Sequence, residues 1–309
     1  MKSYYRMIVR FLTYDIWHLD SKAYSGRKAW GLRYLKASLI TIRRMSAHSV
    51  GLQAAALTFF MMLAIVPFIA VTYAITRGFG LANELESLIY ANFSGQEEIV
   101  QWILQFANNL LDTSRSGLFS FIGSIFFIWS IVWVMVSVEQ IFNNIWQVKN
   151  DKPIARKILI YFGLIIFSPI LLGVSFMIPL SYSTFIQSIG LDIKFLTSLG
   201  PFVGWLMFFL FLWVLIFAAY KLIPNTKVET MAALRAAVFT TIAFMFVEVL
   251  YLETQIFVSR LNAIYGAFAA IPFFMFWMQI NWFLILLGAE LSYAFQNINN
   301  YQHGYKNII

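Results

Sequence analysis

The chain has 309 residues, of which 61% are hydrophobic and only 12% charged, with a formal net charge of +8. A water-soluble domain carries roughly 25% charged residues to keep its surface wetted, so this composition excludes one and reads as a polytopic membrane protein. Cys is absent, which excludes disulfides and thiolate metal sites.

The positive charge is placed for topology rather than for nucleic acid. Ten of the 22 Lys and Arg fall in the first 50 residues, and most others flank apolar runs. That is the pattern of cytoplasmic loops and lipid headgroup contact. A cleavable signal peptide is not expected, because no compact apolar run with a small-residue cleavage site follows the first charges.

Residues 1–49 form a basic, aromatic segment at the cytoplasmic face. Tyr4, Ile8, Phe11 and Trp17 alternate with Lys2, Arg6 and Arg10. Trp30, Tyr34 and Leu39 sit among Arg27, Lys28, Arg33, Lys36, Arg43 and Arg44 in a second helical stretch. Both stretches suit helices lying in the membrane interface.

The first span is expected over about 50–76, with a bend at Pro67. Residues 77–116 make an outer connection, which holds Glu84, Glu86, Glu97, Glu98 and Asp112. Within it Ser94 caps an amphipathic helix whose Ile99, Trp102, Ile103, Phe106 and Leu110 share a face. The second span, 117–146, ends in a polar cluster where Glu139 and Asn143 stand four apart on one face. A basic turn with Lys149, Lys152, Arg156 and Lys157 follows.

The third span, 158–180, carries Pro169 as a bend, and the fourth, 201–220, is almost uniformly apolar. Lys221 to Thr230 is a cytoplasmic turn broken by Pro224 and Asn225. The fifth span, 231–257, carries Glu248. The sixth, 265–296, carries Pro272 as a further bend, with Gln279, Asn281 and Glu290, and residues 297–309 form a short cytoplasmic tail. The expected fold is therefore all-α, with six transmembrane helices and both termini inside.

Candidate function lies with the intramembrane polar residues. Charged or amide side chains within a bilayer cost free energy unless something inside the protein meets them. Glu139, Asn143, Glu248, Gln279, Asn281 and Glu290 are the candidates for a polar cavity that binds a substrate or a proton. Pro272, Gln279 and Glu290 project within about 20° of one another on an ideal helix, which suggests one inward stripe. The bland alternative is pairing of Glu139 and Glu290 with loop cations such as Lys221 or Arg235. A basic rim of Arg43, Arg44, Lys149, Arg156, Lys157, Lys221, Lys227 and Arg235 favours anionic lipid at the cytoplasmic face.

No catalytic constellation is expected. His18, His48 and His303 are scattered, with no spacing for a metal or a triad, and no phosphate-binding glycine loop is present. Neither a metal nor a cofactor is expected, nor nucleic acid as a partner. Self-association into a homo-oligomer is left open, as are protein partners in the envelope.

Five stretches together resemble the YihY/BrkB family of bacterial inner-membrane proteins: AAALTFFMMLAIVPF (54–68), FNNIWQVK (142–149), LIPNTKV (222–228), YGAFAAIP (265–272) and LLGAELSYA (286–294). They fall in order across residues 50–296. The family usually has Ala-Tyr-Tyr where this chain has Thr58, Phe59 and Phe60, and Ser where it has Ala64. The resemblance implies an integral plasma-membrane protein linked to virulence, serum resistance or envelope lipid traffic. A ribonuclease label also travels with the family, and the residues give it no support. The expectation is a non-enzymatic bundle that transports a lipid or other amphipathic envelope substrate. The alternative is a membrane scaffold of the envelope that transports nothing.

Overall fold

The computed structural model describes residues 15–19, 27–78, 118–148, 159–164, 200–265 and 270–306, with isolated positions between these segments. Regular structure among the described residues is entirely helical. A short helical turn at Ile16–His18 precedes six helices: α1 (Arg27–Ala47), α2 (Val50–Gly78), α3 (Leu118–Ile145), α4 (Gly200–Leu222), α5 (Thr230–Tyr265) and α6 (Ala270–Lys306). The windows Phe202–Leu222, Thr230–Tyr251 and Pro272–Tyr301 are long and apolar enough to cross a bilayer. The expected third span enters as helix at 159–164, but Pro169 lies outside the described residues. So does most of the outer connection, and the six-span count therefore rests on the sequence.

α6 is the hub. It packs along α5, α1 and α2, while α4 joins through α5 and α3 through α2. Small residues permit the closest of these approaches. Ala232, Ala233, Ala236 and Ala237 of α5 are all buried, and a face of alanines lets a neighbouring backbone come near. At Gly288 the fit is tighter still. A Cβ there would lie 1.9 Å from Thr240 Oγ1 and 2.1 Å from the Tyr220 hydroxyl. That hydroxyl donates to the Ile285 carbonyl at 2.8 Å and lies 2.9 Å from Thr240 Oγ1, so α4, α5 and α6 meet at one polar node.

Two helix ends lie close together at the end of the bundle rich in basic residues. α1 and the first part of α2 (Val50–Ala64) meet at an angle of 67°. Ser49 turns this corner with φ +49° and offers its carbonyl to the Leu52 and Gln53 amides. α3 ends in a Schellman pattern: the Val148 amide bonds the Asn143 carbonyl, and the Gln147 amide bonds that of Asn144. Gln147 takes the left-handed position, φ +54°, that usually falls to Gly.

Two helices run past the bounds of the apolar stretches. α2 runs as helix through position 67 to Gly78. Pro272, expected as a helix kink, falls in the described part of α6, and residues 266–269 before it lie outside the described residues. At the other end α6 continues to Lys306, past the tail boundary expected at 296, and Ile298 beyond that boundary is still buried.

Candidate functional site

The polar residues fall into three groups along the bundle. The first is built on Glu290, whose carboxylate is 0% exposed. Arg44 Nε donates to its Oε2 at 2.6 Å, and His48 Nδ1 lies 2.5 Å from its Oε1. Arg44 and His48 stand four apart, so α1 delivers both to the same place. Arg44 is itself 6% exposed, whereas His48 is 23% exposed and forms the open side of the cluster.

The rest of the guanidinium is held independently of Glu290. Nη2 donates to the Ile145 carbonyl at 2.5 Å, Nη1 donates to the Tyr301 hydroxyl at 3.2 Å, and the group lies 3.7 Å from the centre of the Tyr293 ring. The Schellman bonds employ the Asn143 and Asn144 carbonyls, which leaves that of Ile145 for Arg44 at the negative end of the α3 dipole. Trp146 closes the far side, edge-on to Tyr293 at 5.3 Å.

The second group fixes the turn between α4 and α5. Asn225 Nδ2 donates to Glu139 Oε1 at 2.9 Å, Lys157 Nζ lies 3.3 Å from the same oxygen, and the Asn225 amide donates to Asn143 Oδ1 at 2.8 Å. Gln296 grips the turn from α6, accepting from the Glu229 amide at 2.7 Å and donating to the Lys227 carbonyl at 3.2 Å. Lys221 bridges the turn by donating to the Val228 carbonyl and, at 3.0 Å, to Thr230 Oγ1.

The third group runs along the seam between α5 and α6. Glu248 Oε2 accepts from Trp277 Nε1 at 3.2 Å, and Trp277 stacks on Tyr251 with centroids 4.8 Å apart. Among the described residues no cation lies within ion-pair distance of Glu248. Four residues along α6 from Trp277, and so on the same face, is Asn281. It is 4% exposed, and neither end of its carboxamide has a hydrogen-bond partner among the described residues. Ile285 and Gly288 continue the line to the Tyr220–Thr240 node.

The expected residues are thus divided. Glu139, Glu248 and Glu290 each keep their own partners rather than meeting at one point. Gln279 and Pro272 are exposed, although Glu290 on the same ideal stripe is fully buried. Among the described residues, that side of α6 is buried at its basic end and exposed at Pro272 and Gln279.

Among the rim residues Arg44 differs from expectation. It turns inward to Glu290, while Arg43 stays exposed, its guanidinium 5.6 Å from the Trp17 ring. Lys227 is exposed, and Lys157, Lys221 and Arg235 are half-buried. Lys149 and Arg156 lie outside the described residues. Neither of the suggested partners, Lys221 or Arg235, pairs with Glu139 or Glu290. His48, Tyr293, Tyr301 and Gln296 were missed. The i, i+4 spacing of Arg44 and His48 was the signal available for the first of them.

Comparison with known proteins matches residues 41–307 to the family described as virulence factor BrkB. Similar curated proteins include a UPF0761 membrane protein of Mannheimia succiniciproducens, 33% identical over 268 residues, covering 81% of this chain and 85% of that one. One from Haemophilus influenzae is 29% identical over 273 residues, covering 84% and 95%. One from Ralstonia nicotianae is 29% identical over 279 residues, covering 86% of this chain but 60% of its own length. The chain spans about three fifths of the length of several such relatives. No solved structure matches. The chain is a multi-pass bacterial membrane protein and belongs to the virulence factor BrkB family.

Proposed function

We propose that this protein moves a lipid or other amphipathic envelope substrate across the bacterial plasma membrane, with the α5–α6 seam as its polar track. The observation that carries the reading is Asn281, buried with both ends of its amide unpaired among the described residues, one helical turn from Trp277, which donates to Glu248. A buried amide without a partner costs about 1–3 kcal/mol on protein scales, and hydrocarbon offers it no water. Glu248, held by an indole and facing no cation among the described residues, carries a similar cost. A passing polar headgroup or a proton relieves both. Exposed apolar side chains on α5 and α6, among them Phe246, Leu250 and Phe276, suit the acyl part of such a substrate.

By the positive-inside rule the basic end of the bundle faces the cytoplasm. There the exposed Arg43 and Lys227 favour anionic headgroups. On this reading the protein is not an enzyme.

The test is flux of fluorescent phospholipid between leaflets of liposomes holding the purified protein. Glu248→Gln and Asn281→Leu are expected to slow it at least tenfold, a loss of about 1.4 kcal/mol. Unchanged flux in both variants sinks the reading.

A scaffold that transports nothing is the second reading. It is favoured by Glu139 and Glu290, whose partners are complete enough for a purely structural role. Normal envelope function with both seam variants, and its loss when residues 94–112 are deleted, would establish it.

A further inference from the structure

The geometry points to Arg44 and His48 as a binding site for a phosphate group, occupied in this conformation by the protein's own Glu290. The inference draws its ligand class from the translocation reading, but the site stands on its own observations.

Consider what remains when the Glu290 carboxylate is removed. Arg44 keeps its bonds to the Ile145 carbonyl and the Tyr301 hydroxyl, and the Tyr293 ring still lies against its face. These three contacts come from α3 and from α6 beyond Glu290, so the guanidinium stays in place with Nε–H directed at the position of Oε2. His48 directs Nδ1 at the position of Oε1 from the next turn of α1. A fixed guanidinium N–H with a ring nitrogen beside it can meet two oxygens of a tetrahedral oxyanion. Once Glu290 withdraws, the cationic side of the site is already in place for its ligand.

Two further features favour a ligand over a simple strut. A buried ion pair contributes little stability compared with apolar packing of the same volume, because both charges lose their hydration. The cluster also has a doorway. His48 is its half-exposed member, and the exposed Arg43 lies beside Arg44 in sequence, which draws anions toward that side. Glu290 then acts as a tethered stand-in that keeps the site filled until an incoming phosphate takes its place. The phosphate belongs either to a lipid headgroup or to a soluble ion, and the two sources are separable.

The experiment uses the full chain in phosphatidylcholine nanodiscs. Short-chain phosphatidic acid and, separately, inorganic phosphate are titrated against wild type, Glu290→Gln and Arg44→Gln/Glu290→Gln, with binding read by calorimetry. Glu290→Gln replaces the competing anion with a neutral group and is expected to tighten binding about tenfold or more. The double variant is expected to lose that gain. Preference for phosphatidic acid assigns the site to a headgroup, and equal binding of both assigns it to the free ion. Glu290→Asp, which draws the carboxylate back while keeping the ion pair, serves if the glutamine variant does not fold; it is expected to show a smaller gain.

No gain in either Glu290 variant overturns the inference, as does a gain that survives loss of Arg44. Binding here is measured without flux. A bound ligand with no transport leaves this site standing and rejects the translocation reading, and the converse result rejects the site alone.

Discussion

At the scale of single residues, the costs and benefits are concentrated at a few positions. Gly288 has no room for a β-carbon between Thr240 and Tyr220. Gly288→Ala is expected to lower stability by about 1–3 kcal/mol, the usual range for overpacking, as measured by urea unfolding in detergent. Asn281 has the opposite character. Asn281→Leu removes a polar group that has no partner among the described residues and is expected to raise the thermal unfolding midpoint, with a gain of about 1–2 kcal/mol, even as it slows flux. A variant that is both less stable and inactive would mean that the amide has a structural partner.

These residues were unequally legible. Glu290 and Asn281 stood out in the sequence because they interrupt an apolar run. The partner of Glu290 did not, since Arg44 lies 246 residues away and resembles the other arginines of a basic segment. Helical periodicity put Gln279 and Glu290 on one face, but it does not say how far along that face a neighbour extends, and Gln279 is exposed where Glu290 is buried.

At the scale of elements, helix ends proved less readable than helix bodies. The apolar windows of α4, α5 and α6 are plain in the chain. The far end of α6 is not, because Gln296, Asn297, Asn299 and Asn300 read as a polar tail. Tertiary contacts carry the helix onward there: Ile298 is buried, and Tyr301 meets Arg44. The LIPNTKV turn was legible as a turn from Pro224 and Asn225, whereas its anchoring to Glu139 and Asn143 depends on a helix more than 80 residues away in sequence.

Two tests belong at this scale. Gln147→Gly relieves a left-handed residue at the end of α3 and is expected to stabilise by about 0.5–1 kcal/mol in the same unfolding assay. Asn143→Ala is expected to speed hydrogen exchange of the Asn225 amide well beyond the change in overall stability. Exchange that rises only in step with global unfolding would show that Gln296 and Lys221 suffice to hold the turn.

At the scale of the whole molecule, α6 organises the fold, and its basic end gathers the α1–α2 corner, the end of α3 and the α4–α5 turn in one layer. One orientation therefore governs all of them. The absence of Cys makes this directly measurable, because any introduced thiol is the only one in the chain. Thr226→Cys and Ser46→Cys are both expected to react with a membrane-impermeant maleimide only from the cytoplasmic side. Labelling of either from outside would invert the topology inferred from charge.

The Arg44–Glu290 pair also has a meaning in time. During synthesis the arginine emerges 246 residues before its carboxylate. At roughly 5–20 residues per second, that interval is about 12–50 s. Throughout it the guanidinium must wait at the headgroup layer or with the insertion machinery, since an unpaired cation is costly inside a bilayer. The last helix therefore completes assembly as well as adding a span. Nascent chains arrested before α6 emerges should leave the N-terminal corner open to proteolysis, and released full-length chains should protect it.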